Sequence, residues 1–332
     1  RQAGSAFKPF VYLTAVEVGY TPQTPVIDEP IRIGSWEPRN YSGRFIGRTT
    51  LSNAVAQSTN TVAVSLADSL GRDNVARTAR RLGITSRIGL EPAMALGAVE
   101  VSPVEMAQAY DAFANGGKRV TAYGISRIRT REGRVIYQRS ARESRPIQAI
   151  ANPPLLYMND MLRGVISSGT ARSVAIPGRD LAGKTGTTSD YKDAWFVGYT
   201  GGFVTAVWVG KDDNSAMRGV TGGRARAAIW RAFMTAALPR LDAPRIPDGP
   251  PLPEGWQPPD AVGELIGSME DPYADEIERG IEPTPERREP ERPSPDQPII
   301  RPTTPQPERR DPEDQRPEPA PPPEKKADPL FF

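Results

Sequence analysis

The 332-residue sequence contains no cysteine and no histidine. Without cysteine there are no disulfides and no thiolate metal sites; the absence is compatible with export but does not prove it. Without histidine, a Ser-His-Asp triad is excluded, and so is most zinc chemistry. No apolar run approaches the ~20 residues that cross a bilayer as a helix. An excess of one charge is also missing. Lys and Arg number 42 against 40 Asp and Glu, a formal +2, which argues against a nucleic-acid binder. A serine nucleophile in this chain needs an activator other than histidine, and lysine is the obvious candidate.

The length suffices for one large domain or two modest ones. The chain starts at Arg1, has no signal-like leader, and reads as a piece of a longer protein. Helices are expected from Ser5 to Tyr20, Thr50 to Leu70, Asp73 to Leu82, Pro103 to Ala114 and Pro153 to Ser167. A polar, Pro-rich loop separates the first two, and a hairpin is expected around Glu132-Gly133. The pattern then turns to strands, at Leu181 to Thr188, Ala194 to Thr200 and Phe203 to Gly210, the last two joined by Gly201-Gly202. Ala225 to Leu238 reads as a final helix. Helices first and antiparallel strands afterwards give an α+β fold, a helical cluster packed on a sheet.

Residues 1–242 are expected to form this domain, 243–280 a linker and 281–332 a disordered tail. Of the 36 prolines, 16 lie after Ile281, with charged and polar residues between them. Such a segment cannot bury enough apolar surface to fold. Its Pro-x-x-Pro pieces, as at Pro302 to Pro305, suit either a docking segment for a partner or a solvated spacer, and composition favours the spacer.

Three short pieces carry chemistry. Ser5-Ala6-Phe7-Lys8 puts a hydroxyl and an amine on one helical face, roughly 5–6 Å apart at Cβ. The pattern is weak alone, since Ser189-Asp190-Tyr191-Lys192 repeats it. An ordinary lysine is almost fully protonated at neutral pH, with a pKa of about 10.4. Burial and a second cation would both lower it, and Lys184 is the candidate second cation. Ser58-Thr59-Asn60 supplies a hydroxyl relay in Ser58 and an amide in Asn60; alone it is equally a polar patch. In Lys184-Thr185-Gly186-Thr187-Thr188, strand alternation puts Lys184 and Gly186 on one face. Gly186 is expected to leave room for a ligand backbone. The hydroxyls of Thr185, Thr187 and Thr188 together with Lys184 would hold a terminal carboxylate, with the Ser5 and Thr187 N–H groups as an oxyanion hole. Alone, the segment is also an ordinary exposed strand. In this order the three pieces are the set used by penicillin-interacting enzymes.

At these residues the chain resembles the transpeptidase domain of class A, bifunctional penicillin-binding proteins of the 1A type. The likeness extends through Arg1 to Phe10, Trp36 to Tyr41, Ala114 to Gly117, Gly169 to Ala171, Gly183 to Tyr199 and Thr221 to Gly223. It covers roughly Arg1 to Leu238. The resemblance implies a penicillin-binding-protein/serine β-lactamase-like fold and peptidoglycan stem peptides ending in D-Ala-D-Ala as substrate. Ser5 would be the nucleophile, Lys8 the base, and Ser58 the proton donor to the leaving D-Ala. Asn60 would hold the substrate backbone and Lys8, and an acceptor amine would complete the cross-link. It further implies inhibition by β-lactams, no metal or organic cofactor, no nucleic-acid partner, and cell-wall protein partners for the Pro-rich tail. The parent protein would be anchored at the periplasmic face of the bacterial inner membrane and carry a glycosyltransferase.

Ala3 departs from the family's usual proline. The family's sheet also draws strands from before the nucleophile, so this chain alone is expected to have an unpaired sheet edge and little activity. D,D-carboxypeptidase, serine β-lactamase and a non-catalytic β-lactam-sensing or peptidoglycan-binding module are the alternative readings.

Overall fold

The computed structural model describes residues 1–141, 145–188, 191–217 and 222–247. All of them fall in one unit, Arg1–Glu282. Ser189, Asp190, Thr221, the tail and most of the expected linker lie outside the described residues.

The nucleophile segment begins as a 3₁₀ turn, Gly4–Phe7, that runs directly into α1, Lys8–Glu17. The expected helix from Ser5 to Tyr20 is therefore shorter, and Ser5 sits inside the turn rather than at a helix cap. From Lys8 to Val16 every residue of α1 is buried. A helix apolar on all sides belongs at the centre of a core, and α1 packs against α3, α4 and α6.

The expected loop after α1 contains an antiparallel pair, β1 (Pro25–Asp28) with β2 (Gly47–Thr50). Val26, Ile27, Thr49 and Thr50 supply the β-branched residues that suit it. The single helix expected from Thr50 to Leu70 is two, α2 (Leu51–Gln57) and α3 (Asn60–Ser69). Between them Ser58 adopts a left-handed conformation, φ 59° and ψ 41°. The Ser58 and Thr59 N–H groups close the end of α2 on Val55 O and Ala54 O, each at 3.1 Å. Four polar residues in a row, Gln57 to Asn60, interrupt the apolar stripe at this point.

Helix α4 spans Arg72–Arg81, and a second 3₁₀ turn spans Pro92–Leu96. Helix α5, Pro103–Ala114, opens with a capping box between Ser102 and Glu105. Burial alone would raise the Glu105 pKa. Bonds from the Ser102 and Ser86 N–H groups and from the Thr85 and Ser86 hydroxyls instead bring it to about 2. That depression from 4.5 contributes stability above pH ~4.5 and loses it as pH falls toward 2. Glu105→Ala is expected to cost roughly 1–2 kcal/mol at pH 7, discounted for partial exposure. Denaturant unfolding at pH 7 and pH 3 should show the gap to the parent chain closing at the lower pH.

Strands β3 (Lys118–Arg119) and β6 (Ile147–Gln148) pair across the expected hairpin, which forms as β4 (Arg127–Arg129) and β5 (Val135–Gln138). Helix α6 is Pro154–Ser167. The main sheet has the antiparallel order β7 (Ala182–Thr187), β8 (Asp193–Thr200), β9 (Phe203–Gly210), and α7 spans Gly222–Ala237. Among the described residues β9 pairs only with β8. Strand β8 is buried throughout.

Alternation along β8 assigns the two faces. Phe196 meets Trp230 of α7, with ring centroids 5.0 Å apart, whereas Tyr199 meets Tyr110 and Phe113 of α5. Trp195 lies on the α5 side and donates its Nε1–H to Gln2 O at 2.7 Å. Lys184 is opposite Val197 and Gly186 opposite Trp195, so both face the helical cluster and the nucleophile turn. Among the described residues no helix is long and apolar enough to cross a membrane.

Candidate active site

The turn bearing Ser5 is fixed on several sides. The Ala3 and Gly4 N–H groups bond Val99 O and Gly97 O at 3.0 and 3.1 Å. The buried Tyr110 hydroxyl donates to Ala6 O at 2.6 Å. Against β7 the approach is backbone on backbone. A Cβ on Gly186 would lie 2.9 Å from Ala6 N and closer still to Ala3 O. A Cβ on Gly4, which has φ +54°, would lie 2.7 Å from Thr187 O. The room expected above Gly186 for a ligand is thus taken by the chain's own nucleophile turn.

Lys8 is fully buried. Its Nζ donates to Ser58 O at 2.7 Å, Thr59 O at 3.0 Å and Asn60 Oδ1 at 2.7 Å, and lies 3.3 Å from Ser58 Oγ. Two opposing effects meet here. Three acceptor-only oxygens suit an ammonium with three N–H bonds. Burial and then the Lys184 charge drive the pKa well below 10.5, while Asp28 partly raises it. Full burial outweighs the hydrogen bonds donated to neutral carbonyls, so the Lys8 amine sits below the usual lysine range. The result is a cradled but loosely held proton.

Lys184, also fully buried, donates to Ser58 Oγ at 2.8 Å and to Thr185 O at 3.3 Å. Burial first, and then Arg226 of α7, lowers its pKa to about 7. The Ser58 hydroxyl is therefore shared by both lysines, and the left-handed turn aims it there.

The remaining sequence candidates divide. Among the described residues the Ser5 hydroxyl takes no hydrogen bond, so the structure does not show the expected direct Ser5–Lys8 link. Such bonds are often long before substrate arrives. Asn60 meets Lys8 as expected. Thr185 faces α7 and its hydroxyl lies 3.1 Å from that of Thr170. Thr188 N–H bonds Asp193 O at 3.1 Å, and its hydroxyl accepts from Asp193 N–H at 3.0 Å. By antiparallel alternation, the Thr185 and Thr187 N–H and C=O groups point away from β8 toward an open edge. The Tyr191 N–H bonds Thr188 O at 3.1 Å, and its hydroxyl lies 3.2 Å from that of Tyr41. Asp28, Asn40, Thr170 and Arg226 were not among the residues the motifs singled out for the site. For Asp28 the available signal was an acidic residue ending a β-branched run.

A serine on a rigid turn, two buried lysines sharing a second hydroxyl, and an open strand edge define an apparatus for acyl transfer to serine. The chain belongs to the penicillin-binding protein transpeptidase domain family, whose sequence model matches residues 1–235. It is similar to penicillin-binding protein 1A of Neisseria meningitidis, with 39% identity over 304 residues, covering 87% of this chain and 37% of the relative. The chain thus spans little more than a third of that curated relative. Among solved structures it resembles penicillin-binding protein 1A from Haemophilus influenzae, with 28% identity, TM-score 0.66, and coverage of 74% of this chain and 43% of that one. It also resembles the PonA1 protein of Mycobacterium tuberculosis in complex with penicillin V, with 26% identity, TM-score 0.65 and 76% of each chain covered. The α+β fold and the serine-type D,D-transpeptidase class follow from this membership.

Proposed function

We propose that this domain cross-links peptidoglycan stem peptides through an acyl-enzyme on Ser5, releasing D-Ala. The observation that carries the reading is the pair of buried lysines joined by Ser58 beside the nucleophile turn. Ser5 Oγ attacks the penultimate D-Ala carbonyl carbon, and its proton passes to the neutral Lys8 amine. The Ser5 and Thr187 N–H groups hold the oxyanion. The C–N bond breaks, and the departing D-Ala nitrogen takes a proton from Ser58 Oγ, which Lys8 or Lys184 restores. Asn60 binds the substrate backbone and Lys8. Lys184, Thr185, Thr187 and Thr188 hold the terminal carboxylate, with Gly186 seating the turn against the strand. The acceptor amine then attacks the ester, and Ser5 recovers its proton.

β-Lactams occupy the same site as D-Ala-D-Ala mimics, a reading supported by the penicillin V bound to the PonA1 relative. The reaction calls on no metal or organic cofactor. The parent protein carries a glycosyltransferase and a membrane anchor, and this domain works at the periplasmic face of the inner membrane. Residues 1–242 are the domain, 243–280 a linker, and 281–332 a spacer open to cell-wall protein partners.

Intact mass after penicillin treatment of the full-length protein tests the reading, with peptide mapping to locate the adduct. A long-lived adduct on Ser5, lost in Ser5→Ala, is expected. An adduct elsewhere, or rapid nitrocefin turnover without accumulation, overturns it. The pH dependence has a definite sign. The base Lys8 works when neutral and its pKa lies well below 10.5, so the acylation rate should rise with pH on a limb well below pH 10, and should fall again as the Lys184 cation is lost above about 7. Unshifted lysines would place that rise near pH 10.

A further inference from the structure

The Ser58–Asn60 turn is also held by a carboxylate that the acyl-transfer steps do not use. Asp28, the last residue of β1, is fully buried. Both its oxygens accept from Asn40 Nδ2, at 2.8 and 2.9 Å. It also accepts from the Ile46 N–H at 2.9 Å and from the Thr61 hydroxyl. Every one of these donors is neutral.

The bonds continue inward. Asn40 Oδ1 accepts the Asn60 N–H at 2.7 Å, and Asn60 Nδ2 donates to Arg39 O at 2.6 Å. Because Asp28 only accepts, the Asn40 amide has one permitted orientation, and that orientation in turn fixes Asn60. Asn60 Oδ1 is left facing Lys8 Nζ at 2.7 Å. The usual capping group is not used here: Thr59, at the N-cap of α3, makes no side-chain cap bond. Asn40 takes over that role from a separate loop. The negative charge of Asp28 also meets the first turn of α3 through Thr61, the end of a helix that favours anions.

We propose that Asp28 is a positioning residue for acyl transfer: through Asn40 and Thr61 its carboxylate locks the turn that presents Ser58 and Asn60 to Lys8. The inference rests on the transpeptidase reading above. Two charged groups face Lys8, Lys184 from β7 and Asp28 from β1, and they act in opposite senses, Lys184 against the ammonium and Asp28 in its favour. Tyr12, on α1 and buried, is held neutral. Asp28 therefore sets both the geometry of the turn and part of the proton affinity of the base.

The test uses the full-length protein and the second-order rate of penicillin acylation across pH. Asp28→Asn places an amide among donors and removes the charge. The rate should fall ten- to a hundredfold, and the acidic limb of the profile should move to lower pH by about half a unit or more. Asp28→Glu keeps the charge but not the reach, so the rate should fall while the limb stays in place. Thr61→Val removes one bond and should keep the fold, with a several-fold loss. Limbs that stay in place in every variant, or rates equal to the parent, overturn the inference. A parent protein that is not acylated at Ser5 defeats the transpeptidase reading instead.

Discussion

Lys184→Met should be acylated by penicillin roughly a thousandfold more slowly than the parent, yet melt at a higher temperature at pH 7. The kinetic loss follows from removing the donor that holds Ser58 Oγ at 2.8 Å and supplies the cation for a carboxylate. The stability gain follows from the cost of burying an amine. Lys184 has a pKa of about 7 in the fold against 10.5 when free. Between these values the unfolded chain binds more protons than the folded one, so stability rises with pH across that window. Below about 7 the penalty is complete, on the order of 4–5 kcal/mol at 1.36 kcal/mol per unit. Methionine fills a similar volume without it. Losing the bond to Ser58 offsets part of the gain, leaving about 1–3 kcal/mol. Melting curves at pH 7 and pH 10 check the point: the parent should gain stability on going to pH 10 by more than the variant does. A variant less stable than the parent at pH 7 would show that the lysine is a net structural asset.

Gly186→Ala should lose both properties together. The added methyl meets backbone atoms of Ala3 and Ala6, which have no flexible end to move aside. Either β7 or the nucleophile turn must shift, at a cost of roughly 1–3 kcal/mol. A displacement near 1 Å at Ser5 is enough for a hundredfold slower acylation. Gly124→Ala is the matched control. A Cβ there meets nothing within 4 Å, so acylation should stay at the parental rate. Equal behaviour of the two variants would mean that the turn-to-strand contact does not hold the nucleophile.

The strands at Ala182–Thr187 and Phe203–Gly210 and the helix Pro103–Ala114 were legible because strand-forming runs and the glycines that end or join the elements act locally. So were the three motifs, whose chemistry lies in residue type and spacing. The break at Ser58 was not. Leu51, Val55, Val62 and Leu66 fit a single helical stripe, and only contacts from Lys8 and Asn40 make a left-handed serine tolerable there. The use of Gly186 was misjudged for a similar reason: a glycine announces a close approach, but not which backbone makes it. The role of Asp28 was not legible, because it depends on Asn40, 12 residues away, and Thr61, 33 residues away.

The enclosure of α1 carries one more consequence. A helix covered on every side cannot fray or swing out alone. Its amides should exchange with deuterium only when the entire domain opens, at the slowest rate in the chain. On heating, catalytic competence and cooperative melting should then share one midpoint, so antibiotic labelling can serve as a folding assay.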